Sequence, residues 1–263
     1  MGFIVLASVA LFIWFLLRPK KVNWDEYQLS SEFKEILTSM VPLSSYLPEN
    51  LIPSFHQKVS YFLDTTDIQG FDGVDITDEI RLSIAGNASI LLLGRPGKSY
   101  SKLHSVHVFP DSFFQESQSQ AGTSITHVSG ISFEGGKVVL AWSHTQSGSQ
   151  NMFDGQNVAI HEFAHQFDQA DGSADGVPYD LSPQLTQVWA GAMSAGFKKL
   201  TSRSNKRSRS LINQYGGTHP AEFFAVLSET YFEKGKHLKR KEPDLYAAME
   251  AYYGLDTASW VKS

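Results

Sequence analysis

Apolar residues recur along the chain in two patterns, one typical of helices and one typical of strands. Spacings of three and four residues indicate amphipathic helices, which we predict over residues 24–40, 48–64, 77–85, 155–170, 182–200, 220–234 and 243–253. Short apolar runs and alternation indicate strands, which we predict over residues 88–93, 103–109, 128–133 and 137–142. The last two flank Glu134-Gly135-Gly136, which favours a hairpin. This order of elements predicts an α+β fold with a small mixed sheet and several helices.

The amino terminus has a pattern of its own. Residues 1–17 are uncharged and almost wholly apolar, and Arg18, Lys20 and Lys21 follow at once. A cleaved signal peptide would carry basic residues before the apolar stretch and a small-residue cleavage site after it. A buried helix is rarely apolar on every face. The length instead suits a short membrane anchor, although a signal peptide and a soluble role stay open as alternatives.

The anchor divides the chain into two parts. We predict an N-terminal membrane helix with its basic flank over residues 1–21 and one domain over residues 22–263, with a helical part at 22–86 and a catalytic part at 87–263. Because basic residues favour the cytoplasmic side, we expect a single-pass inner-membrane protein whose main domain faces the cytoplasm. If residues 1–17 do not form an anchor, the expected location is the cytoplasm.

Composition narrows the chemistry. Hydrophobic residues make up 42% of the sequence, enough for a sizeable core. The formal net charge of -5 gives no overall attraction to nucleic acid, so we expect no nucleic-acid partner. There are no cysteines, so any transition metal must be held by His, Asp and Glu.

The candidate chemistry lies in the segment His161-Glu162-Phe163-Ala164-His165. On a helix, His161 and His165 are one turn apart on the same face and can bind a single zinc ion. Glu162 is placed to act as a base on water held by the metal. The alternative is a surface helix with ordinary polar residues, but the apolar neighbours favour burial, and buried imidazoles need partners. We therefore predict one zinc ion per chain.

A catalytic zinc site needs a third protein ligand. The metzincin pattern requires a third His six residues after His165, where this chain has Asp171. The candidates on the later helix are Glu222, Glu229 and Glu233. Glu222 is favoured because apolar residues surround it. Glu229 lies two turns on along the same face and is a candidate hydrogen-bond partner, whereas Glu233 is expected to be exposed.

Asp168 lies three residues beyond His165 on the same predicted helix. Two roles are open for its carboxylate. It either orients a ligand imidazole through a hydrogen bond or caps a neighbouring segment.

The motif at 161–165, together with the segment 215–225 (YGGTHPAEFFA), resembles a known catalytic core. It is similar to the core shared by the Mlc titration factor A family of bacterial metallopeptidases and by the anthrax lethal factor peptidase domain. The resemblance to the first family extends over about residues 25–255, and the apolar amino terminus departs from its cytosolic members, so their soluble location is not implied for this chain. It implies a zincin-type, gluzincin-like domain in which His161, His165 and Glu222 hold zinc, with Glu162 as the base and Tyr215 as the oxyanion donor.

These observations predict a zinc-dependent peptidase that acts on a peptide or protein substrate, with aminopeptidase-like cleavage implied by the resemblance. The family also implies a rival function, a regulatory protein that sequesters a transcriptional repressor and has secondary peptidase activity. A third possibility is a zinc-stabilised structural domain. Glu162 argues against it because a structural site needs no base.

Overall fold

The computed structural model describes residues 22–95, 97, 99–119, 122–203 and 210–260. Within these residues the chain forms a mixed α+β fold, as the sequence predicts. The helices are α1 Ser31–Met40, α2 Ile52–Thr65, α3 Asp78–Ile90, α4 Trp142–Gln150, α5 Val158–Asp168, α6 Pro183–Arg203, α7 Pro220–Glu233, α8 Gly235–Lys241 and α9 Pro243–Tyr253. The strands are β1 Asp67–Gly70, β2 Ser105–Phe109, β3 Phe113–Ser119, β4 Gly122–Val128, β5 Gly130–Phe133 and β6 Lys137–Ala141.

The main sheet is small and mixed. Its strands lie in the order β1-β2-β6-β5, with the first three parallel and β5 antiparallel to β6. The hairpin predicted around Glu134-Gly135-Gly136 is therefore confirmed, and it places β5 at the edge of the sheet. Strands β3 and β4 form a separate antiparallel ribbon.

Helices cover the sheet and enclose the core. The inner strands β2 and β6 are completely buried at Val106, Val108, Val138 and Leu140. Helix α5 packs against β5 and β6, and α7 in turn packs against α5. The edge strand and two buried helices thus meet at one place, which is where the predicted metal ligands lie.

The strand predicted over residues 88–93 is wrong. Helix α3 continues to Ile90, and a turn follows it. Residues 82–90 of this helix are buried without interruption. A helix that is buried on every side has no polar face, so its apolar run has no helical periodicity to distinguish it from a strand.

The first predicted helix is shorter than expected. Residues 24–26 form one turn of 3-10 helix, and α1 begins only at Ser31. The Ser30 side chain caps α1 by accepting a hydrogen bond from the Phe33 N–H at 3.1 Å, which fixes the start of the helix. Among the described residues, the sequence prediction also misses three strands and two helices, namely β1, β3, β4, α4 and α8.

The predicted N-terminal membrane helix over residues 1–21 lies outside the described residues. Within the described part of the chain, no helix combines the length and the apolar character needed to cross a membrane. The anchor and the location that depends on it therefore stay predictions from the sequence.

Candidate metal centre

Helix α5 carries both histidines of the predicted site. Asn157 caps this helix, because its side-chain oxygen accepts a hydrogen bond from the Ile160 N–H at 3.1 Å. Phe163 and Phe167 are buried in the core. The helix is thus held on its apolar side, while His161 and His165 lie one turn apart on another side.

Helix α7 carries the third candidate ligand. It begins at Pro220, where proline suits the first helical turn. The ring nitrogen Nδ1 of His219 accepts a hydrogen bond from the Ala221 N–H at 3.3 Å and caps the helix. Glu222 therefore lies in the first turn of α7. Because α7 packs against α5, this carboxylate reaches the two histidines.

The three side chains converge on one point. The Nε2 atoms of His161 and His165 are 3.2 Å apart. The Oε2 atom of Glu222 lies 3.0 Å from Nε2 of His161 and 3.5 Å from Nε2 of His165. Ligand atoms at ~2.0–2.1 Å from a tetrahedral zinc ion lie about 3.3–3.4 Å from one another. The separations and the chemical types of these three atoms therefore fit a zinc ion.

The electrostatics of the group also favour a cation. Burial acts to lower the pKa of His161, but its hydrogen bonds to Glu222 and Glu229 outweigh burial and raise that pKa well above its usual value. Burial acts to raise the pKa of Glu222, but its contacts with His161 and His165 hold that pKa well below its usual range. The carboxylates of Glu222 and Glu229 thus favour a positive charge beside them. A bound metal ion can supply that charge while the imidazoles stay neutral.

Glu229 fixes the orientation of His161. Its Oε1 atom lies 2.8 Å from Nδ1 of His161, and its Oε2 atom accepts a hydrogen bond from the Asn157 N–H at 2.6 Å. An ionised carboxylate only accepts hydrogen bonds, so Nδ1 carries a proton and Nε2 is directed towards the metal position.

Glu162 lies against the edge strand. Its side chain is buried, and burial raises the pKa of its carboxyl group. Gly130 of β5 packs directly on this carboxyl, since a Cβ atom at position 130 would come within 2.5 Å of Glu162 Oε1. Only glycine therefore allows the carboxylate to occupy this place, beside the ligands rather than among them.

Tyr215 lies beside His161. Its ring centre is 6.0 Å from that of His161, and its side chain is 54% exposed. Burial of its hydroxyl, together with the negative charges of Glu222 and Glu162, raises the pKa of Tyr215 to about 12. The phenol thus stays protonated at neutral pH and can donate a hydrogen bond.

A cleft of about 650 Å³ opens on this group. His161, Glu162 and Tyr215 line it together with residues from the edge strand, α4, α7 and the loop before α5, among them Gly130, Ser147, Asp154 and Val226. The candidate base, the candidate oxyanion donor and the metal position thus face one space large enough for part of a peptide.

Asp168 acts on a loop. Its Oδ1 atom accepts hydrogen bonds from the N–H groups of Gly176 at 2.7 Å and Val177 at 3.0 Å. Burial raises the pKa of this carboxyl to about 6. Of the two roles left open by the sequence, the structure supports the capping of a neighbouring segment. The Oδ2 atom of Asp168 and the Nδ1 atom of His165 have no hydrogen-bond partner among the described residues.

The expectation that Glu233 is exposed is wrong. Only 2% of this residue is accessible. Its carboxylate accepts hydrogen bonds from the Gly155 N–H at 2.9 Å and from Nδ2 of Asn157 at 3.2 Å. The charged residues that follow Glu233 in sequence suggested exposure, but α7 is buried almost to its last residue.

Comparison with known proteins places the chain in a family. The sequence model of the family described as glucose-regulated metallo-peptidase M90 matches residues 16–254. The chain belongs to this family. Membership in M90 agrees with the resemblance found in the sequence, and the group of His161, His165 and Glu222 can hold the metal ion that a metallo-peptidase requires.

Two relatives match along most of their length. Protein slr2042 of Synechocystis sp. is 32% identical over 96% of this chain and 95% of its own. Mlc titration factor A of Pectobacterium atrosepticum is 29% identical over 79% of this chain and 82% of its own. A solved structure from Bacteroides caccae covers 89% of this chain and 92% of that one at 13% identity, but its TM-score of 0.31 is too low to carry an argument.

The roles of three residues at this M90 site were not predicted from the sequence. Gly130 lies 32 residues before Glu162 and offers no local signal. Asn157 has a local signal in the sequence, because asparagine directly before an apolar helix is a typical N-cap. Glu233 also has one, because its spacing of four from Glu229 and eleven from Glu222 places all three on one helix face.

Proposed function

We propose that the protein is a zinc-dependent peptidase of the gluzincin type. The observation that carries this proposal is the convergence of His161 Nε2, His165 Nε2 and Glu222 Oε2, with separations of 3.0 to 3.5 Å, beside the buried carboxyl of Glu162. This set combines three protein ligands with a candidate base, which is the pattern of a catalytic rather than a structural zinc site.

The side chains divide the work of peptide hydrolysis. His161, His165 and Glu222 would hold the zinc ion, which would supply Lewis acidity for the attack of water on the scissile carbonyl. Glu162 takes the proton from the attacking water and returns it to the nitrogen of the leaving amine, and the raised pKa of its carboxyl suits both transfers. The Tyr215 hydroxyl donates a hydrogen bond to the oxygen that becomes negative at the scissile carbonyl.

The test is digestion of a mixed peptide library by the purified protein, with and without a zinc chelator. We expect cleavage that falls to background in chelator and returns on addition of zinc, because the proposed attack by water depends on the metal ion. Products shortened stepwise from the amino terminus would identify an aminopeptidase, and internal fragments an endopeptidase. Cleavage that persists undiminished in chelator would refute the proposal.

Replacement of Tyr215 by phenylalanine tests the oxyanion role. We expect kcat to fall by roughly 10²–10³-fold, the loss typical of one oxyanion donor, with unchanged zinc content because Tyr215 is not a ligand. Steady-state kinetics and elemental analysis measure the two effects. The control is Tyr246→Phe, which removes the hydroxyl that bonds Asp256 at 2.5 Å and does not line the cleft. Equal kcat values for Tyr215→Phe and the wild type would exclude the role.

A second candidate function comes from the relative's name. Mlc titration factor A implies that the Pectobacterium protein titrates Mlc. We propose, as the alternative, that this chain binds a transcriptional repressor and that its peptidase activity is secondary. A binding function requires the surface but not the base, so repressor capture that survives Glu162→Gln would support it. Absence of capture by the wild type would favour the peptidase alone.

A further inference from the structure

A chain of buried polar side chains runs from the metal centre towards the first helices. Such groups are costly to bury without partners, so a connected set indicates a position that is fixed by hydrogen bonds. Each member is at most 7% exposed, and the members are Glu229, Glu233, Asn157, Asn87 and Ser149.

Asn157 is the centre of this chain, and its side chain is fully used. Its oxygen caps α5 through the Ile160 N–H. The two hydrogens of its amide nitrogen go to Oδ1 of Asn87 at 3.0 Å and to Oε1 of Glu233 at 3.2 Å. The residue that starts the metal-binding helix is thus tied to α3 on one side and to α7 on the other.

Glu233 is the anchor on α7. Its second oxygen accepts the Gly155 N–H at 2.9 Å, and the neighbouring Lys234 donates to the Asp154 carbonyl at 2.5 Å. Gly155 has a φ of +69°, a conformation that favours glycine. The end of α7 therefore holds the backbone of the loop whose residues Asp154 and Gln156 line the cleft.

The first turn of the same helix carries Glu222. A contact between Glu233 and Asn157 therefore fixes how α7 lies along α5, and with it the distance between Glu222 and the two histidines. We propose that Asn157 and Glu233 act as a pair of positioning residues that sets the geometry of the metal centre and of the adjoining cleft wall. The inference rests on the proposed zinc site and concerns residues that touch neither metal nor substrate.

The series of hydrogen-bonded side chains continues beyond Asn157 and Glu233. Nδ2 of Asn87 donates to Oγ of Ser149 at 3.1 Å, and that hydroxyl donates to the Met40 carbonyl at 2.7 Å. The end of α1 is therefore joined to the start of α5 by three side chains. Helices α1, α3 and α4 are thus connected by hydrogen bonds to the start of the helix that carries both histidines.

The variant Asn157→Ser separates the two roles of Asn157, the capping of α5 and the contact with Glu233. A serine hydroxyl still caps α5, but it cannot replace the two amide hydrogens. Glu233→Gln keeps the size of the side chain and removes one of its two acceptors. For each variant we expect zinc affinity and kcat to fall by about 10–100-fold, the range typical of groups that orient metal ligands. Zinc affinity is measured by competition with a chelating dye.

The double variant tests whether the two residues act together. If they do, it loses little more than the worse single variant, because the contact is already broken. Ser228→Ala, on the same helix, removes a buried hydroxyl that bonds Tyr253 at 2.9 Å on another side, and it should leave zinc affinity unchanged. Single variants within twofold of the wild type, or losses that simply multiply, would overturn the pairing. If the wild type binds zinc but cleaves no peptide, the peptidase proposal fails. The zinc affinities of the variants then still test whether Asn157 and Glu233 position the metal ligands.

Discussion

Exchange of Glu162 for glutamine is expected to lower kcat by about 10²–10⁴-fold, the contribution typical of general acid–base catalysis. Zinc content should not change, because the three converging ligand atoms belong to His161, His165 and Glu222. Glutamine has nearly the same shape, so it keeps the contact with Gly130 but cannot accept a proton. Peptide cleavage and elemental analysis of the same preparations measure both quantities.

A matched control is Glu134→Gln, which changes an exposed carboxyl in the turn between β5 and β6. It should behave as the wild type. If the Glu162 variant cleaves peptides within tenfold of the wild-type rate, another group is the base. If it loses zinc, then Glu162 contributes to the metal site and the division between ligands and base is wrong.

The second large effect concerns the third ligand. Glu222→Gln is expected to lose stoichiometric zinc, because a neutral amide replaces the anionic ligand in a site with only three protein ligands. Glu229→Gln should keep zinc with an affinity lowered by roughly 10–100-fold, since Glu229 orients His161 and is not one of the three converging ligands. The two variants lie on the same helix and make the same chemical change, so each controls for the other.

Zinc per chain by elemental analysis, with the melting temperature of each variant, decides between the two carboxylates. A Glu229 variant without zinc beside a zinc-loaded Glu222 variant would reverse their assignments. Equal retention in both would mean that neither carboxylate is a ligand, and equal loss with a collapsed melting temperature would indicate unfolding. In that case zinc content should be measured on the part of each variant that refolds, and that value decides the assignment.

The local part of the site could be predicted from the sequence. His161 and His165 are four residues apart, so helical geometry alone places them together. Glu222 lies 57 residues beyond His165, and only its apolar surroundings and the family resemblance singled it out. Gly130 shows the limit of this reasoning, because its contact with Glu162 depends on how an edge strand packs on a helix.

In the fold, too, the elements with a local sequence pattern could be predicted, and those without one could not. Amphipathic helices and the β5–β6 hairpin were predicted because one of their faces is polar or their turn has a specific sequence. Residues 88–93 misled because α3 is buried on all sides and its periodicity is lost. The β3–β4 ribbon was missed because its sequence (FFQESQS and GTSITHV) is largely polar and alternates weakly.

The three glutamates of α7 share one face between residues 222 and 233, and this restricts how the gene can change. A single residue inserted between Glu222 and Glu229 would turn everything after it by about 100°. Both later carboxylates would then leave His161, Asn157 and Gly155, although the composition of the helix would hardly differ. The length of α7 between these glutamates therefore allows neither insertion nor deletion.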